Sequence, residues 1–146
     1  MSAPLYNRDI LALAVETARY LPRPEARRHA SLRAPLCGSR ILLDLDTDTA
    51  GRVEAVGMHV EACALGQAAA TLMARHAPGR SVADLRAARD QIARWFAGQE
   101  AGEGELPDWP DFSLLAPARD YPARHGAILL PFDAVLAALD PAGARA

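Results

Sequence analysis

The chain has 146 residues and a formal net charge of −2, and 51% of it is hydrophobic but only 5% aromatic. That length can bury a sizeable core, while the charge and scarce aromatics offer neither a basic field nor a stacking platform for nucleic acid or an anionic membrane. All 16 basic residues are arginine, which excludes Schiff-base catalysis and a Walker-A phosphate loop, since both require lysine.

Two cysteines, with no C-x-x-C pair, do not make a disulfide framework. The opening Met-Ser-Ala-Pro-Leu-Tyr lacks the basic region and apolar run of a signal peptide, and no apolar stretch approaches the ~20 residues that span a bilayer. The expectation is one soluble, cytoplasmic domain over residues 1–146 with reduced thiols.

In chain order, residues 5–21 read as a first helix, with Ile10, Leu11, Ala14, Val15 and Ala18 near helical spacing and Pro22 and Pro24 stopping it. A charged connector over 23–28 leads to a short strand at 29–34 and a turn at 35–40. Residues 41–46 form a strand with Ile41, Leu43 and Leu45 on one face and a solvated Asp44 and Asp46 on the other. The Thr47–Gly51 stretch has hairpin chemistry, and 53–60 returns with Val56, Met58 and Val60 inward.

A helix starts at Cys63 and runs to about His76, before Pro78-Gly79. Ser81 and Asp84 form a capping box for the next helix, on which Val82, Leu85, Arg89, Ile92 and Phe96 recur and which Gly98 ends. The acidic, Gly- and Pro-rich stretch 99–111 reads as an exposed insertion. A helical turn at 112–116 and a helix from Pro122 to about Leu139, kinked or restarted at Pro131, complete the chain.

Cys63 is the pivot. A thiol in the first turn of a helix faces unsatisfied N–H groups and the positive end of the helix dipole, which favour the thiolate that attacks electrophiles and binds metals. The alternative reading is a buried structural thiol. Cys37 and Cys63 flank the same hairpin, whose antiparallel course can bring them together, and His125 heads the last helical segment. Two thiolates and an imidazole suit zinc, iron or an iron–sulfur unit. The same residues could instead form a Cys–His nucleophilic pair, although no protease or acyltransferase signature accompanies them. His29, His59 and His76 read as ordinary surface residues.

Three segments carry a resemblance: Pro35-Leu36-Cys37-Gly38, the run Cys63-Ala64-Leu65-Gly66-Gln67-Ala68-Ala69-Ala70-Thr71-Leu72-Met73, and Tyr121-Pro122-Ala123-Arg124-His125-Gly126-Ala127. They resemble the first-cysteine turn, the second-cysteine helix and the third-cysteine segment of the U-type iron–sulfur cluster scaffold proteins (IscU, SufU and the N-terminal domain of NifU). Leu5-Tyr6 and the first helix also fit, and the acidic insertion resembles the SufU branch.

The resemblance implies an α+β fold, with a small antiparallel sheet covered by helices on one side. It also implies a metal site of three cysteines and an aspartate, with a histidine near the third cysteine in some branches. Cys37, Cys63 and His125 match that pattern, whereas Ser39 stands at the aspartate position and Gly126 at the third cysteine. The implied function is a divergent scaffold or carrier for iron, zinc or a labile [2Fe–2S] unit, held by Cys37, Cys63 and His125 with water, a weakly binding Ser39 or a partner's residue as fourth ligand. A cysteine desulfurase and iron–sulfur client proteins are the implied partners. The competing readings are a cluster-free module that binds the desulfurase, and a persulfide sulfur acceptor.

Overall fold

The computed structural model describes residues 5–35, 38–98 and 106–140. Its elements run α1 (Arg8–Glu16), β1 (Arg28–Arg33), β2 (Arg40–Thr47), β3 (Val53–Glu61), α2 (Ala64–His76), α3 (Val82–Phe96) and α4 (His125–Leu139). Three 3₁₀ segments, Thr17–Arg19, Phe112–Asp120 and Pro122–Arg124, join them. The architecture is α+β, as expected: a three-stranded antiparallel sheet in the order β1-β2-β3 with helices packed on it.

Strand alternation decides which face is dry. Register pairs Leu32 with Ile41, Ala30 with Leu43, Ile41 with Val60 and Leu43 with Met58. Ile41, Leu43 and Leu45 are therefore on one face with Met58, and all four are buried in the core that α2 and α4 complete. The β2–β3 connection is the expected tight turn: Gly51 has φ 82°, and the Asp48 carboxylate accepts from the N–H groups of Ala50 and Arg52.

The opposite face is solvated at Leu42 and His59 but covered farther along β2. The chain between α1 and β1 crosses it, and Asp44 accepts from the Arg23 N–H at 2.7 Å while Asp46 accepts from the Arg27 N–H at 3.1 Å. His29 Nδ1 lies 2.7 Å from the second Asp44 oxygen. The two carboxylates thus tie the connector to the sheet. Gly57 is the residue underneath, where a Cβ would lie 2.3 Å from the Leu21 carbonyl oxygen, so no larger side chain fits.

The first helix is shorter than its sequence pattern and turns a different face inward. Ile10, Leu13 and Ala14 are buried, whereas Leu11 is 49% and Val15 74% exposed. α1 packs against α2. The tightened 3₁₀ turn sends the Thr17 N–H to Ala14 and Val15, and the buried Thr71 hydroxyl donates to the Leu13 carbonyl at 2.7 Å. A carbonyl at a helix end thereby gains a partner from the neighbouring helix.

On α3 the Ser81–Asp84 capping box is present in both directions. Its buried face is Leu85, Ala88, Ile92 and Trp95, so Val82 lies outside the core. Arg89 reaches Asp133 of α4 at 2.8 Å, which accounts for a polar residue on that side of the helix. Two further sequence expectations need refinement. Leu106, Asp108, Pro110 and Asp111 are exposed, whereas Pro107 and Trp109 are buried, with Trp109 3% exposed and its indole N–H donating to the Leu72 carbonyl at 3.0 Å; residues 99–105 lie outside the described ones. α4 continues through Pro131 rather than restarting there, and the Ala127 carbonyl loses its usual N–H partner to the proline.

Candidate metal centre at two helix starts

Three backbone segments meet at one end of the sheet. The first is the turn between β1 and β2, closed by Ala34 N–H to Ser39 O at 2.8 Å and Gly38 N–H to Ala34 O at 3.2 Å, with Gly38 at φ 73°. A positive φ is open to glycine without steric cost, which explains Gly38 in this turn. The second is the start of α2. Pairing of Arg40 with Glu61 sets the end of β3 beside the beginning of β2, so the chain enters α2 next to that turn. The third is the start of α4.

Cys63 is the N-cap residue of α2, extended at φ −64° and ψ 169°. Its carbonyl accepts from the Gln67 N–H at 3.0 Å, and the Gln67 side chain donates to the Ala62 carbonyl at 3.0 Å. No side chain caps this helix, so the thiol is not spent on its own helix start. Cys63 is half-buried and unbridged.

The first turns of α2 and α4 touch. A Cβ at Gly66 would lie 3.3 Å from the Ala127 Cβ and 3.5 Å from the Ala127 carbonyl oxygen. Cys63 is one helical turn before Gly66, and His125 and Gly126 directly precede Ala127. One turn is about 5 Å, so the two helix starts open on the same region. Gly126 is exposed, and a Cβ there would meet only the Ala34 Cβ, at 4.0 Å, which links α4 to the β1–β2 turn. The α2 N-terminus supplies orphan N–H groups and partial positive charge, an environment that favours anionic ligands, whereas α4 follows directly on a 3₁₀ turn and its His125 N–H donates to the Pro122 carbonyl.

His125, the first residue of α4, is held on two sides. Its ring stacks on Phe96 with centroids 3.8 Å apart and planes 16° from parallel. Its Nε2 lies 2.9 Å from the Arg119 carbonyl oxygen and 3.2 Å from that of Ala118. Neither Phe96 nor these two carbonyls was legible as part of a site. Phe96 reads in sequence as a core position of α3, and backbone acceptors have no residue signature.

Ser39 is 5% exposed and belongs to the closed turn; Cys37 lies outside the described residues. The structure therefore gathers Cys63, Ser39, His125 and Gly126 on neighbouring segments. Among the described residues, no group of three or more His, Cys, Asp or Glu is placed to hold a metal ion. Nearby, Glu61 pairs with Arg40 and lies 3.1 Å from His59 Nε2. Arg40 first and His59 second hold the Glu61 carboxyl below its ordinary range. The other histidines are structural partners rather than free surface groups: His29 binds Asp44, and His76 binds Asp111 at 3.0 Å.

No family model and no curated protein matches the chain. Among solved structures it is similar to the N-terminal part of a nitrogen-fixing NifU-like protein from Brucella abortus, with 36% identity over 92% of both chains and a TM-score of 0.82. A putative iron–sulfur cluster assembly scaffold protein for the SUF system from Fervidobacterium islandicum has the same fold, with 19% identity over 93% of this chain and 97% of that one and a TM-score of 0.80. A hypothetical protein of known structure matches more distantly, with 20% identity over 92% of this chain and 98% of that one and a TM-score of 0.68. The identity and near-complete coverage of the first comparison decide the relationship: the chain belongs to the family of NifU-like proteins, matching their N-terminal part.

Proposed function

We propose that this protein is an iron–sulfur cluster assembly scaffold or carrier, of a SufU-like type, that holds iron, zinc or a labile [2Fe–2S] unit through Cys37, Cys63 and His125. The observation that carries the reading is the contact of the α2 and α4 starts at Gly66 and Ala127, which brings the Cys63 and His125 segments together. The donor chemistry suits such a cargo. Thiolates are soft ligands for iron–sulfur units and zinc, and imidazole serves both iron and zinc. The backbone bonds at His125 Nε2 are of the kind that orients a ligating imidazole.

The cargo is a substrate passed between proteins, so the protein acts as a carrier rather than an enzyme. A cysteine desulfurase would supply sulfur, and client proteins would receive the product. Ser39 in place of a carboxylate and Gly126 in place of a thiolate leave fewer anionic ligands than the full family pattern, which makes for weak and reversible holding. Ser39, water or a partner's side chain is the fourth ligand in this reading.

Metal analysis of the protein as purified, followed by anaerobic reconstitution with iron and sulfide, tests it. The expected result is bound metal, or sulfide-to-iron charge-transfer absorption, that Cys37→Ala and Cys63→Ala each abolish. Metal content unchanged by both substitutions overturns it. Gly126 without a thiolate favours a second reading, a cluster-free module that binds the desulfurase; metal-independent binding to that enzyme in native mass spectrometry would support it. Rapid alkylation of one cysteine only would favour a sulfur acceptor.

A further inference from the structure

His125 has one ring nitrogen committed to the backbone. Nε2 faces the carbonyl oxygens of Arg119 and Ala118, at 2.9 and 3.2 Å. A carbonyl oxygen can only accept, so Nε2 carries the proton, and in the neutral ring Nδ1 carries the lone pair. The ring plane is set as well. Imidazole torsion about its second side-chain bond is broad when free, whereas the Phe96 face at 3.8 Å restricts it.

Both supports are themselves anchored. Arg119 lays its guanidinium 5.1 Å from the centroid of the Trp95 ring. Trp95 packs against Phe96 at 5.2 Å and edge-on to Phe112 at 5.5 Å. The end of α3 and the 3₁₀ segment Phe112–Asp120 thus form a continuous aromatic support for His125, built from residues remote in sequence from it.

We propose that Phe96 is a positioning residue of the candidate centre: with the Ala118 and Arg119 carbonyls it holds His125 as the Nε2–H tautomer, so that Nδ1 is the nitrogen that meets the metal. The proposal rests on His125 being a ligand, as above. Binding through Nε2 would break the hydrogen bond that its one proton shares between the Arg119 and Ala118 carbonyls, whereas binding through Nδ1 leaves it in place. Removing such an outer support of a ligating histidine typically costs about 10–100-fold in metal affinity.

The test uses the full chain, metal-free and labelled with 15N on histidine, at an alkaline pH where imidazole is neutral. Long-range 1H–15N correlation spectra identify the tautomer, and His125→Gln assigns the signals by their loss. The expected spectrum shows a protonated Nε2 and a lone-pair Nδ1 for His125. Zinc affinity, measured by competition with a chromophoric chelator, is expected to fall in His125→Gln. Phe96→Leu is expected to lower it about 10–100-fold and to give an averaged tautomer, whereas Phe96→Tyr, which keeps the ring face, retains both properties.

A protonated Nδ1, or an averaged pattern in the wild type, overturns the positioning claim even where zinc affinity depends on His125. A fixed Nε2–H tautomer with zinc affinity indifferent to His125→Gln overturns instead the reading of His125 as a ligand, and with it the role given to Nδ1. The wild-type spectrum and Phe96→Tyr keep the test decisive if Phe96→Leu fails to fold.

Discussion

Gly66 and Ala127 hold the starts of α2 and α4 in direct contact, with only 3.3 Å between the Ala127 Cβ and the place a Gly66 Cβ would occupy. A Gly66 Cβ would also lie 2.7 Å from the Ala62 Cβ. Both obstructing atoms are fixed by backbone, so neither can rotate away. Alanine in a helix ordinarily gains about 1 kcal/mol over glycine, but overpacking costs about 1–3 kcal/mol. Gly66→Ala is therefore expected to lower stability by up to ~2 kcal/mol and to weaken metal binding. Denaturant unfolding and zinc competition check both parts; a more stable variant with unchanged zinc affinity would show that the contact is dispensable.

Gly126, on the facing helix, has the opposite character. Its φ is not positive, and a Cβ there would find nothing closer than Ala34 at 4.0 Å. Gly126→Ala should stabilise the fold by about 0.4–1 kcal/mol through the unfolded chain without altering metal affinity. Gly126→Cys should raise that affinity by adding a thiolate beside the two helix starts. Thermal unfolding and cobalt(II) absorption in the thiolate charge-transfer region distinguish the two variants.

Thr71 links α2 to the end of α1 through a 2.7 Å hydrogen bond to the Leu13 carbonyl, and it is fully buried. Thr71→Val keeps the shape but leaves that acceptor unpaired in the core, at a cost of about 1–3 kcal/mol. Chemical denaturation should show this loss. Amide hydrogen exchange should place the increased opening in α1, whose outer face carries the exposed Leu11 and Val15.

His29 contributes a pH dependence of known sign. Its hydrogen bond to Asp44 raises its pKa above the ordinary 6.5, although partial burial opposes the shift. The native state therefore keeps its proton longer than the unfolded chain. The stabilisation is complete below about pH 6.5 and is lost as pH rises through the raised native value. The ring is 42% exposed, so solvent screening limits the contribution to at most about 1 kcal/mol. The stability gap between wild type and His29→Gln should be widest in mild acid and narrow above neutrality. A gap that widens instead with rising pH contradicts the assignment.

Glu16 behaves in the reverse sense. Arg75 chiefly lowers its pKa, with burial opposing, so its contribution is present above the ordinary carboxylate range and is lost as pH falls through the lowered native value. Glu16→Gln should therefore flatten the acid limb of a stability–pH curve and leave the neutral region lowered.

Local chemistry made much of this protein legible from its residues. The alternation of Ile41, Leu43 and Leu45, the Asp48–Gly51 turn, the Ser81–Asp84 box and the helix start at Cys63 each depend on neighbours a few residues away, and each stands where the pattern puts it. The motif around Cys63 and Gly66 likewise carries the family resemblance in its residues alone. Other features depended on surfaces that meet only after folding. The face of α1 was misread because Leu11 and Val15 are as apolar as Leu13, and only the position of α2 decides which side is covered. Asp44 and Asp46 looked solvated until the connector crossed them, and Trp109 looked part of an exposed insertion until its indole met Leu72.

The candidate site divides in the same way. Sequence alone named Cys63 and His125 as donors, because residue type determines what a side chain can ligate. It could not name Phe96, which stacks on His125 across 29 positions of sequence, or the backbone carbonyls that take up Nε2. Only the tertiary structure sets the Arg119 and Ala118 carbonyls opposite Nε2, because the acceptor that faces a ring nitrogen comes from the fold rather than from the histidine itself.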